Sequence, residues 1–503
     1  MEGFQLWKRR YVFDCYIYPK FSVPTNVLQL LRSQQGLFKR TARSLSSKDA
    51  GHSVMTNKEE KSYEEKWPQK KNSDQSDESR SQRDIPMSEV QKHNQASDCW
   101  MVIGDKVYNV TKWIEKHPGG DVILTHAGLD ATDVFEAFHA DSSYRLLPAY
   151  LIGRVTNLQV SPALQEYRKL RKMLTEEKQF EASEWYYAYK FLSTVSLLPI
   201  SFTLMSYFGS TLWGAALAII SVSFFWQQCG WLSHDFLHHQ VFKERRYNNM
   251  AGYLLGNLGM GFSLSWWKRK HNLHHATPNV TGFDPDIDTF PLLSWSEQLI
   301  EGDLSGLPRL LVKYQHIFVF PILAFGRISW LIQSILHVCS NRMKHHKMEA
   351  FLLALHYVWF LFLSFGFLSF GDGILFFLVS QFVGGLLLAS AFIVNHNGKH
   401  VFPSRQITEG ELDFINVQVL TGRDIKGGPF NFFHWFMGGL DMQIEHHLFP
   451  GLPRHNLKGV QGKVVELCKQ YGIEHHQTSF FQGLREVLRQ LKSVSRSAVG
   501  KWE

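Results

Sequence analysis

Long apolar segments dominate the second half of the chain, and their lengths predict helices that cross a membrane. Residues 186–208 and 211–232 form one pair of such segments, and residues 350–370 and 374–395 form another. Each is close to the ~20 residues that a helix needs to cross the hydrocarbon core. The pattern therefore predicts four membrane-spanning helices in two hairpins.

A further apolar segment, residues 311–337, has a different pattern. It is interrupted by Lys313, His316, Pro321 and Arg327. A helix with charged residues inside an apolar stretch is suited to the membrane surface. We therefore predict an interfacial segment here.

An even number of spans places three regions on one side of the membrane: the chain before 186, the 233–349 loop and the tail after 396. The loop contains the basic stretches KERR, WKRK and RMKHHK. Basic loops stay on the cytoplasmic side. These three regions are therefore predicted to be cytosolic.

The chain before the first span divides into three parts. Residues 1–86 are predicted to be a basic and charged disordered extension, because residues 57–86 are half charged with few bulky apolar side chains. The first 50 or so residues are basic and could form an amphipathic helix, so a transit-like peptide or surface anchor is the alternative there. Residues 87–155 contain short β-type runs (CWMVIGDKVYNV) followed by WIEKHPGGDVILTHAG and DATDVFEAFH, which predicts a small α+β domain. Residues 156–185 are helical and charged, and we interpret them as a flexible hinge. The predicted fold is multidomain, with residues 186–503 forming an all-α membrane domain.

The amino-acid composition favours a metal-binding protein. The chain has 24 histidines, and histidine is the commonest metal ligand near neutral pH. Its five cysteines lack a C-x-x-C pair, which argues against a disulfide scaffold, a thiolate zinc site or an iron-sulfur cluster. The net charge of +8 comes from basic residues that flank apolar runs, so it indicates contact with a membrane surface and not with nucleic acid.

The first chemical motif is HPGG at 117–120 followed by FH at 138–139. His117 and His139 are placed to approach a flat cofactor from opposite faces, while Gly119 and Gly120 let the backbone turn closely around it. The stretch resembles the cytochrome b5 domain, which implies that the two histidines are axial ligands of haem b. His126 lies between them, and we interpret it as a solvated helix residue.

Three histidine clusters form the second motif: HDFLHH at 234–239, HNLHH at 271–275 and QIEHH at 443–447. Positions i, i+3 and i+4 share one face of a helix, so the histidines within a cluster can converge. Three clusters supply more imidazoles than one zinc ion needs. Nitrogen-rich coordination favours iron, with zinc and copper left open.

Over residues 87 to about 490, the chain resembles the front-end fatty acyl desaturases. GFSLSWWKRKHNLHHATPN, DPDID and GGLDMQIEHHLFPGLPRHN carry the resemblance. It implies two non-haem iron ions that activate O2, so that two adjacent methylenes lose hydrogen and a cis double bond forms between the carboxyl end and an existing double bond. By the resemblance, the iron site comprises His234, His238, His271, His274, His275, His396, Gln443, His446 and His447.

Some positions in this set stay open. HDFLHH can be read with either His238 or His239 as the ligand, and both remain candidates. Gln443 stands where a histidine of an H-x-x-H-H cluster would be expected. We interpret its side-chain carbonyl as a weak ligand, or as a group that holds a water, so that one coordination position of the iron pair is bound less tightly. His400 shares a helical face with His396 only if that helix continues past Gly398. We keep it as a residue that supports a ligand.

Other histidine motifs are interpreted as unrelated to the metal. GIEHHQ at 472–477 and KHHK at 344–347 do not end a predicted span and are flanked by charge, so they are predicted to be solvated surface. His434 is interpreted as interfacial packing. The DPDID stretch contributes three aspartates: Asp284, Asp286 and Asp288. Their carboxylates could orient ligating imidazoles, and substrate contact or helix capping are the alternatives.

The resemblance also implies partners and a location. The substrates would be O2 and a fatty acyl chain linked to coenzyme A or to a phospholipid. Electrons would come from NADH through a separate cytochrome b5 reductase, because the sequence has no G-x-G-x-x-G unit to bind the dinucleotide. The expected location is the endoplasmic reticulum membrane. Delta-6 or delta-5 action on polyunsaturated chains is favoured. A sphingoid-base delta-8 desaturase, a fatty acyl hydroxylase and a membrane-anchored electron-carrier cytochrome are the alternatives.

Overall fold

The computed structural model describes residues 83–300, 302, 304–340 and 345–502. The predicted extension and its transit-like start therefore lie outside the described residues, except for its last part. That part is not an extension, because Asp84–Pro86 forms a strand of the first folded domain. The domain begins slightly before the predicted boundary at residue 87.

The first domain is the predicted small α+β unit, built on a five-stranded sheet of order β1-β5-β4-β3-β2. β1 pairs in parallel with β5, and the other neighbours are antiparallel. Its elements are β1 (Asp84–Pro86), α1 (Met87–Val90), β2 (Asn94–Gln95), β3 (Asp98–Ile103), β4 (Lys106–Asn109), α2 (Thr132–Phe138) and β5 (Leu151–Thr156), with 3-10 segments at Ile114–Lys116, Gly120–His126 and Asp141–Tyr150. The sheet buries alternate apolar side chains such as Cys99, Met101 and Ile103 against the helical segments.

The segment between the domains is helical, but the expectation of a flexible hinge is wrong. Helix α3 (Pro162–Glu176) begins at Ser161, whose hydroxyl accepts a hydrogen bond from the Leu164 amide. Its apolar residues recur at helical spacing and are buried against the C-terminal region: Leu164, Tyr167, Leu170 and Leu174. The Tyr167 hydroxyl donates to the Leu448 carbonyl over 2.7 Å. Helix α3 is therefore packed against the C-terminal region along its apolar face and is not a flexible linker.

We expect Tyr167→Ala to lower the apparent melting temperature of the detergent-solubilised protein. The Tyr167 side chain is 0% exposed, and truncating a buried aromatic ring of this size costs about 3–5 kcal/mol. Lys172→Ala on the same helix is the matched control, because the Lys172 side chain is 79% exposed. Equal melting temperatures for both variants would restore the flexible-hinge interpretation.

The rest of the chain is mostly helical. The helices are α4 (Glu184–Val195), α5 (Leu197–Phe208), α6 (Leu212–Leu237), α7 (Arg245–Gly252), α8 (Leu264–Ala276), α9 (Gly306–Lys313), α10 (Gln315–Ala324), α11 (Gly326–Cys339), α12 (His346–Phe365), α13 (Phe370–His396), α14 (Ser404–Thr408), α15 (Phe414–Leu420), α16 (Phe432–Phe436), α17 (Gln443–Leu448), α18 (Arg454–Gln470) and α19 (Phe480–Trp502). A π-helical turn covers Tyr253–Met260, 3-10 turns cover Glu297–Leu299 and Pro429–Asn431, and two short strands, β6 (Asp424–Ile425) and β7 (Gln477–Thr478), pair in parallel.

Among the described residues, four segments are long and apolar enough to cross a membrane: 184–208, 212–237, 346–365 and 370–396. They match the four predicted spans. The predicted interfacial segment is two helices, α10 and α11, bent by 56° at a break. Helix α13 packs against α6, α10 and α11.

Candidate functional site

Eight histidines from four elements meet at one end of the apolar helices. His234 lies in the last turn of α6 and His396 ends α13, while α8 and α17 carry the histidines of the other two clusters. The ring nitrogens form two groups in which every atom lies within 4.8 Å of the others: His234, His238, His271, His275 and His446 in the larger group, and His274, His396 and His447 in the smaller. The three sequence clusters therefore form one site.

The larger group is organised around His271 and His275 on one face of α8. The Nε2 atom of His271 lies 2.9 Å from Nε2 of His238 and 3.0 Å from Nε2 of His275. The Nε2 atom of His275 lies 3.1 Å from Nε2 of His446. The His234 ring lies 4.6 Å from the rings of His238 and His446. Three chain segments, α6 with its C-terminal end, α8 and α17, thus bring these ring nitrogens together.

The smaller group lies beside the first. The Nε2 atoms of His274 and His396 are 3.3 Å apart, and the His447 ring lies 4.5 Å from the His396 ring. His447 also stacks on His275 at 4.1 Å between ring centroids, so the two groups are adjacent. Gln443 places its Nε2 2.8 Å from Nε2 of His396. Its amide therefore lies at the smaller group.

Hydrogen bonds at Nδ1 orient three of these rings. His274 Nδ1 donates to Asp284 Oδ2 at 3.0 Å, and His396 Nδ1 donates to the Thr421 carbonyl at 3.0 Å. His447 Nδ1 donates to Gln418 Oε1 at 2.9 Å. A proton fixed on Nδ1 leaves the lone pair on Nε2, which is the atom that faces the site.

Burial keeps the rings of the larger group neutral. It lowers the pKa of His238 to about 3 and the pKa values of His271, His275 and His446 well below the ordinary value. His274 differs: burial opposes its charge, yet the Asp284 carboxylate leaves its pKa raised. Neutral imidazoles are the form that binds metal ions.

The donor set fits two metal ions. Two neighbouring nitrogen ligands, each about 2.1 Å from one ion, stand about 3 Å apart, as the Nε2 atoms of the larger group do. Among the described residues, the buried Nε2 atoms of His234 and His447 have no hydrogen-bond partner. Eight imidazoles in two groups suit a pair of redox metals such as iron better than one zinc ion.

His239 does not join either group. Its backbone has a φ of 58°, in the left-handed region, and its Nε2 lies 3.1 Å from the Lys268 ammonium. The Lys268 charge makes a poor neighbour for a metal cation. His400 also stays apart, since its ring stacks on Phe402 and its carbonyl accepts from Asn279.

The aspartates of DPDID take different positions. Asp284 is fully buried, contacts His274 and accepts from the Asn279 amide at 2.7 Å. Asp286 is 46% exposed and lies 3.7 Å from the same ring nitrogen. Asp284 is thus placed to orient the ring of the candidate ligand His274, which agrees with one of the three interpretations that the sequence left open.

We expect Asp284→Asn to reduce metal retention and activity by about 10–100-fold, the usual cost of removing a carboxylate that supports a metal-ligating histidine. The loss follows because the amide cannot replace the charge that holds the proton on His274 Nδ1. Asp286→Asn is the matched control and is expected to behave as the wild type. Metal content and product formation, measured on both variants, test this; equal values for the two variants would contradict it.

The GIEHHQ motif is not solvated surface as predicted. The His475 side chain is 7% exposed, and its Nε2 lies 3.0 Å from Glu445 Oε1 and 3.5 Å from Asp424 Oδ2. Burial raises the pKa of Glu445 to about 7 and that of Asp424 well above the ordinary value. This buried acid–imidazole cluster includes Glu445 of the third histidine cluster, QIEHH. His476 is half-buried beside Lys399.

The remaining histidine motifs stay outside both groups. In KHHK, His345 is exposed and His346 is half-buried, and Lys344 lies outside the described residues. His434 is half-buried, and its Nδ1 lies 2.9 Å from Asp441 Oδ1. It has a carboxylate partner in addition to the packing that the sequence suggested.

The predicted haem ligands face each other in the first domain. The ring centroids of His117 and His139 are 5.9 Å apart. Both Nδ1 atoms donate to backbone carbonyls, of Gly120 at 2.9 Å and of Phe135 at 3.0 Å, so both Nε2 atoms carry lone pairs. A Cβ added at Gly119 would lie 2.8 Å from the His117 ring. The pair fits a flat, six-coordinate iron cofactor between the rings.

His126 belongs to a 3-10 segment of the same domain and is not solvated as predicted. It is half-buried, and its Nδ1 lies 2.9 Å from the Thr125 hydroxyl oxygen. Burial lowers its pKa to about 4. It is a packed residue of this domain.

Several supporting residues escaped the sequence analysis. Gln418 joins two of the candidate ligands, since its Nε2 donates to the His275 carbonyl while its Oε1 accepts from His447. Arg454 pairs with buried Asp235, which lies next to His234. Asp235 lies inside HDFLHH and could have been suspected from that position, but no local pattern marks Gln418 or Thr421.

Comparison with known proteins gives two family matches. The fatty acid desaturase family matches residues 210–479. The cytochrome b5-like haem/steroid binding domain matches residues 86–156. The two matches cover both histidine constellations.

Similar proteins share both regions. An acyl-lipid (9-3)-desaturase of Physcomitrium patens is 38% identical, over 82% of this chain and 78% of its own. A delta(8)-fatty-acid desaturase of Euglena gracilis is 35% identical, over 78% of this chain and 94% of its own. A delta(6)-fatty-acid desaturase of Caenorhabditis elegans is 32% identical, over 80% of this chain and 97% of its own.

Proposed function

Since this chain belongs to the fatty acid desaturase family and carries a cytochrome b5 domain in front, we propose that it inserts a cis double bond between the carboxyl end and an existing double bond of polyunsaturated fatty acyl chains. It is a membrane enzyme of the front-end type, whose cofactors are haem b and two non-haem iron ions. Delta-6 or delta-5 action is favoured.

The observation that carries the proposal is the pair of adjacent histidine groups. His234, His238, His271, His275 and His446 would hold one iron ion, and His274, His396 and His447 the other, with Gln443 beside the second. Bound there, the iron pair supplies O2 activation and removal of two hydrogens. The rings of His274, His396 and His447 are held in orientation by hydrogen bonds from Nδ1 to Asp284, Thr421 and Gln418, respectively.

The haem domain supplies electrons one at a time. His117 and His139 would hold haem b with no open coordination position, which suits electron transfer. We propose that NADH provides these electrons through a separate cytochrome b5 reductase. We further propose the endoplasmic reticulum membrane as the location, with the histidine groups and the haem domain on the cytosolic side, as the basic 233–349 loop supports.

Expression in a host without polyunsaturated products tests the reaction. The host is fed separate fatty acids, and mass spectrometry locates each new double bond. A new bond on the carboxyl side of an existing one supports the proposal. A hydroxylated product would instead indicate a fatty acyl hydroxylase, and a desaturated sphingoid base would indicate a sphingoid-base delta-8 desaturase. Purified protein with haem but without about two non-haem irons would instead favour an electron-carrier cytochrome.

Gln443→His tests the role of the glutamine. Gln443 Oε1 accepts from Asn395 Nδ2 at 2.8 Å, and its Nε2 faces His396. A histidine there would add a strong ligand to the smaller group, so we expect a changed rate or a changed double-bond position. Asn395→Asp is a companion variant that keeps Gln443 but alters its partner. Unchanged rate and regiochemistry in Gln443→His would count against a special role.

A further inference from the structure

The haem domain rests on the helix that carries HNLHH. Its 3-10 segment Gly120–His126 contacts α8. Arg269 of α8 donates from Nη2 to Asp121 Oδ2 at 3.0 Å. Arg269 lies two positions before His271, so the ion pair joins the haem-binding loop to a helix that supplies candidate iron ligands.

A second contact brings the two candidate metal sites together. Phe138 precedes His139, and its ring meets the His275 ring edge to face, with centroids 6.3 Å apart and an interplanar angle of 88°. The Phe138 carbonyl accepts from Arg245 Nη2 at 2.9 Å. One residue therefore neighbours a candidate haem ligand in sequence and touches a candidate iron ligand in space.

The interdomain helix α3 holds the haem domain in place. Arg168 donates to Asp133 at 2.7 and 2.9 Å and to Asp130 at 2.9 Å. The Arg171 Nε atom lies 3.3 Å from Glu136 Oε2. These acidic residues lie in or next to α2, the helix that ends at Phe138. Because α3 is itself buried against the C-terminal region, the position of Phe138 is fixed from two sides.

We propose that Phe138 is the contact through which electrons pass from the haem domain to the histidine centre, and that Arg245 and the Asp121–Arg269 pair position it. The inference rests on the proposed function. One electron at a time leaves the haem iron, which goes from Fe2+ to Fe3+, and reduces one non-haem iron from Fe3+ to Fe2+; an external NADH-linked flavoprotein reduces the haem again. Electron transfer slows steeply as the gap between donor and acceptor widens, so the filled contact at Phe138 sets the rate.

The test uses the full-length, iron- and haem-loaded protein in detergent. The haem is photoreduced without oxygen or fatty acyl substrate, and its reoxidation by the oxidised non-haem irons is followed in the Soret band. We expect Phe138→Ala to slow reoxidation by about tenfold or more and Phe138→Tyr, which keeps the ring, to stay within about twofold of the wild type. Equal rates for Phe138→Ala and the wild type, with unchanged haem spectrum and iron content, would overturn the proposal.

A charge exchange tests the docking without altering Phe138. Asp121→Arg and Arg269→Asp are each expected to slow reoxidation by about three- to fivefold, and the double variant is expected to regain most of the wild-type rate. Asp105→Arg is the matched control, because Asp105 pairs with Arg154 inside the haem domain, and it should not change the rate. A double variant as slow as the single variants, or single variants at the wild-type rate, would overturn the role of this pair.

The two conclusions fail in different ways. Haem reoxidation needs no acyl substrate, so it proceeds whether or not a double bond forms. A wild-type protein that reoxidises its haem quickly but yields no desaturated product would refute the proposed function alone. Desaturation by the wild type together with a fast Phe138→Ala variant would refute the electron path alone.

Discussion

The His446→Ala variant should insert into the membrane, retain its haem and form no desaturated product. His446 is 1% exposed, its Nε2 lies 3.1 Å from Nε2 of His275, and its ring lies 4.6 Å from that of His234. Its removal deletes one nitrogen from the larger group. Since loss of a residue that merely supports a ligand costs about 10–100-fold, loss of the ligand itself should reduce product formation by about 100-fold or more.

The measurement pairs product analysis with metal content. Non-haem iron should fall while the haem spectrum stays unchanged, because the haem domain has its own ligands. His345→Ala is the matched control, since His345 is an exposed histidine outside both groups. Product formation by His446→Ala at the His345→Ala level, with full iron content, would remove His446 from the iron site.

The second large effect is expected in the haem domain. His139→Ala and His117→Ala should each lose haem and abolish desaturation, even when free cytochrome b5 is supplied. The two ring centroids lie 5.9 Å apart, so loss of either ring removes one of the two nitrogen atoms that would hold the haem. A free donor also lacks the high effective concentration of a docked domain.

Haem absorbance and product formation, with and without added cytochrome b5, check this second expectation. His126→Gln is the control on the same domain and should keep its haem, because His126 bonds to Thr125 and not to the facing pair. Full activity of His139→Ala with free cytochrome b5 would show that the fused domain is dispensable.

Much of the architecture was readable from the sequence because it depends on local pattern. The length of an apolar run determines whether a helix can cross the hydrocarbon core, and the four spans agree with the four runs. The spacing of His271, His274 and His275 places all three on one turn of α8. The HPGG and FH motifs likewise marked the two facing histidines of the first domain.

Other features depend on contacts between distant segments, and the sequence could not supply them. Spacing favoured His238 but left His239 as an alternative, while in the structure His238 joins the larger group and His239 has a left-handed backbone and lies beside Lys268. GIEHHQ appeared solvated because its sequence neighbours are charged, yet the fold buries His475 against two carboxylates.

By itself, the sequence determined which residue types and spans exist, since ligand chemistry, helical periodicity and hydrophobic length are local properties. Tertiary structure alone decided which histidine nitrogens come together in each group, that the interdomain helix is packed, and that Phe138 touches His275. The physical reason is that convergence depends on the packing of segments up to hundreds of residues apart, and no local pattern encodes that packing.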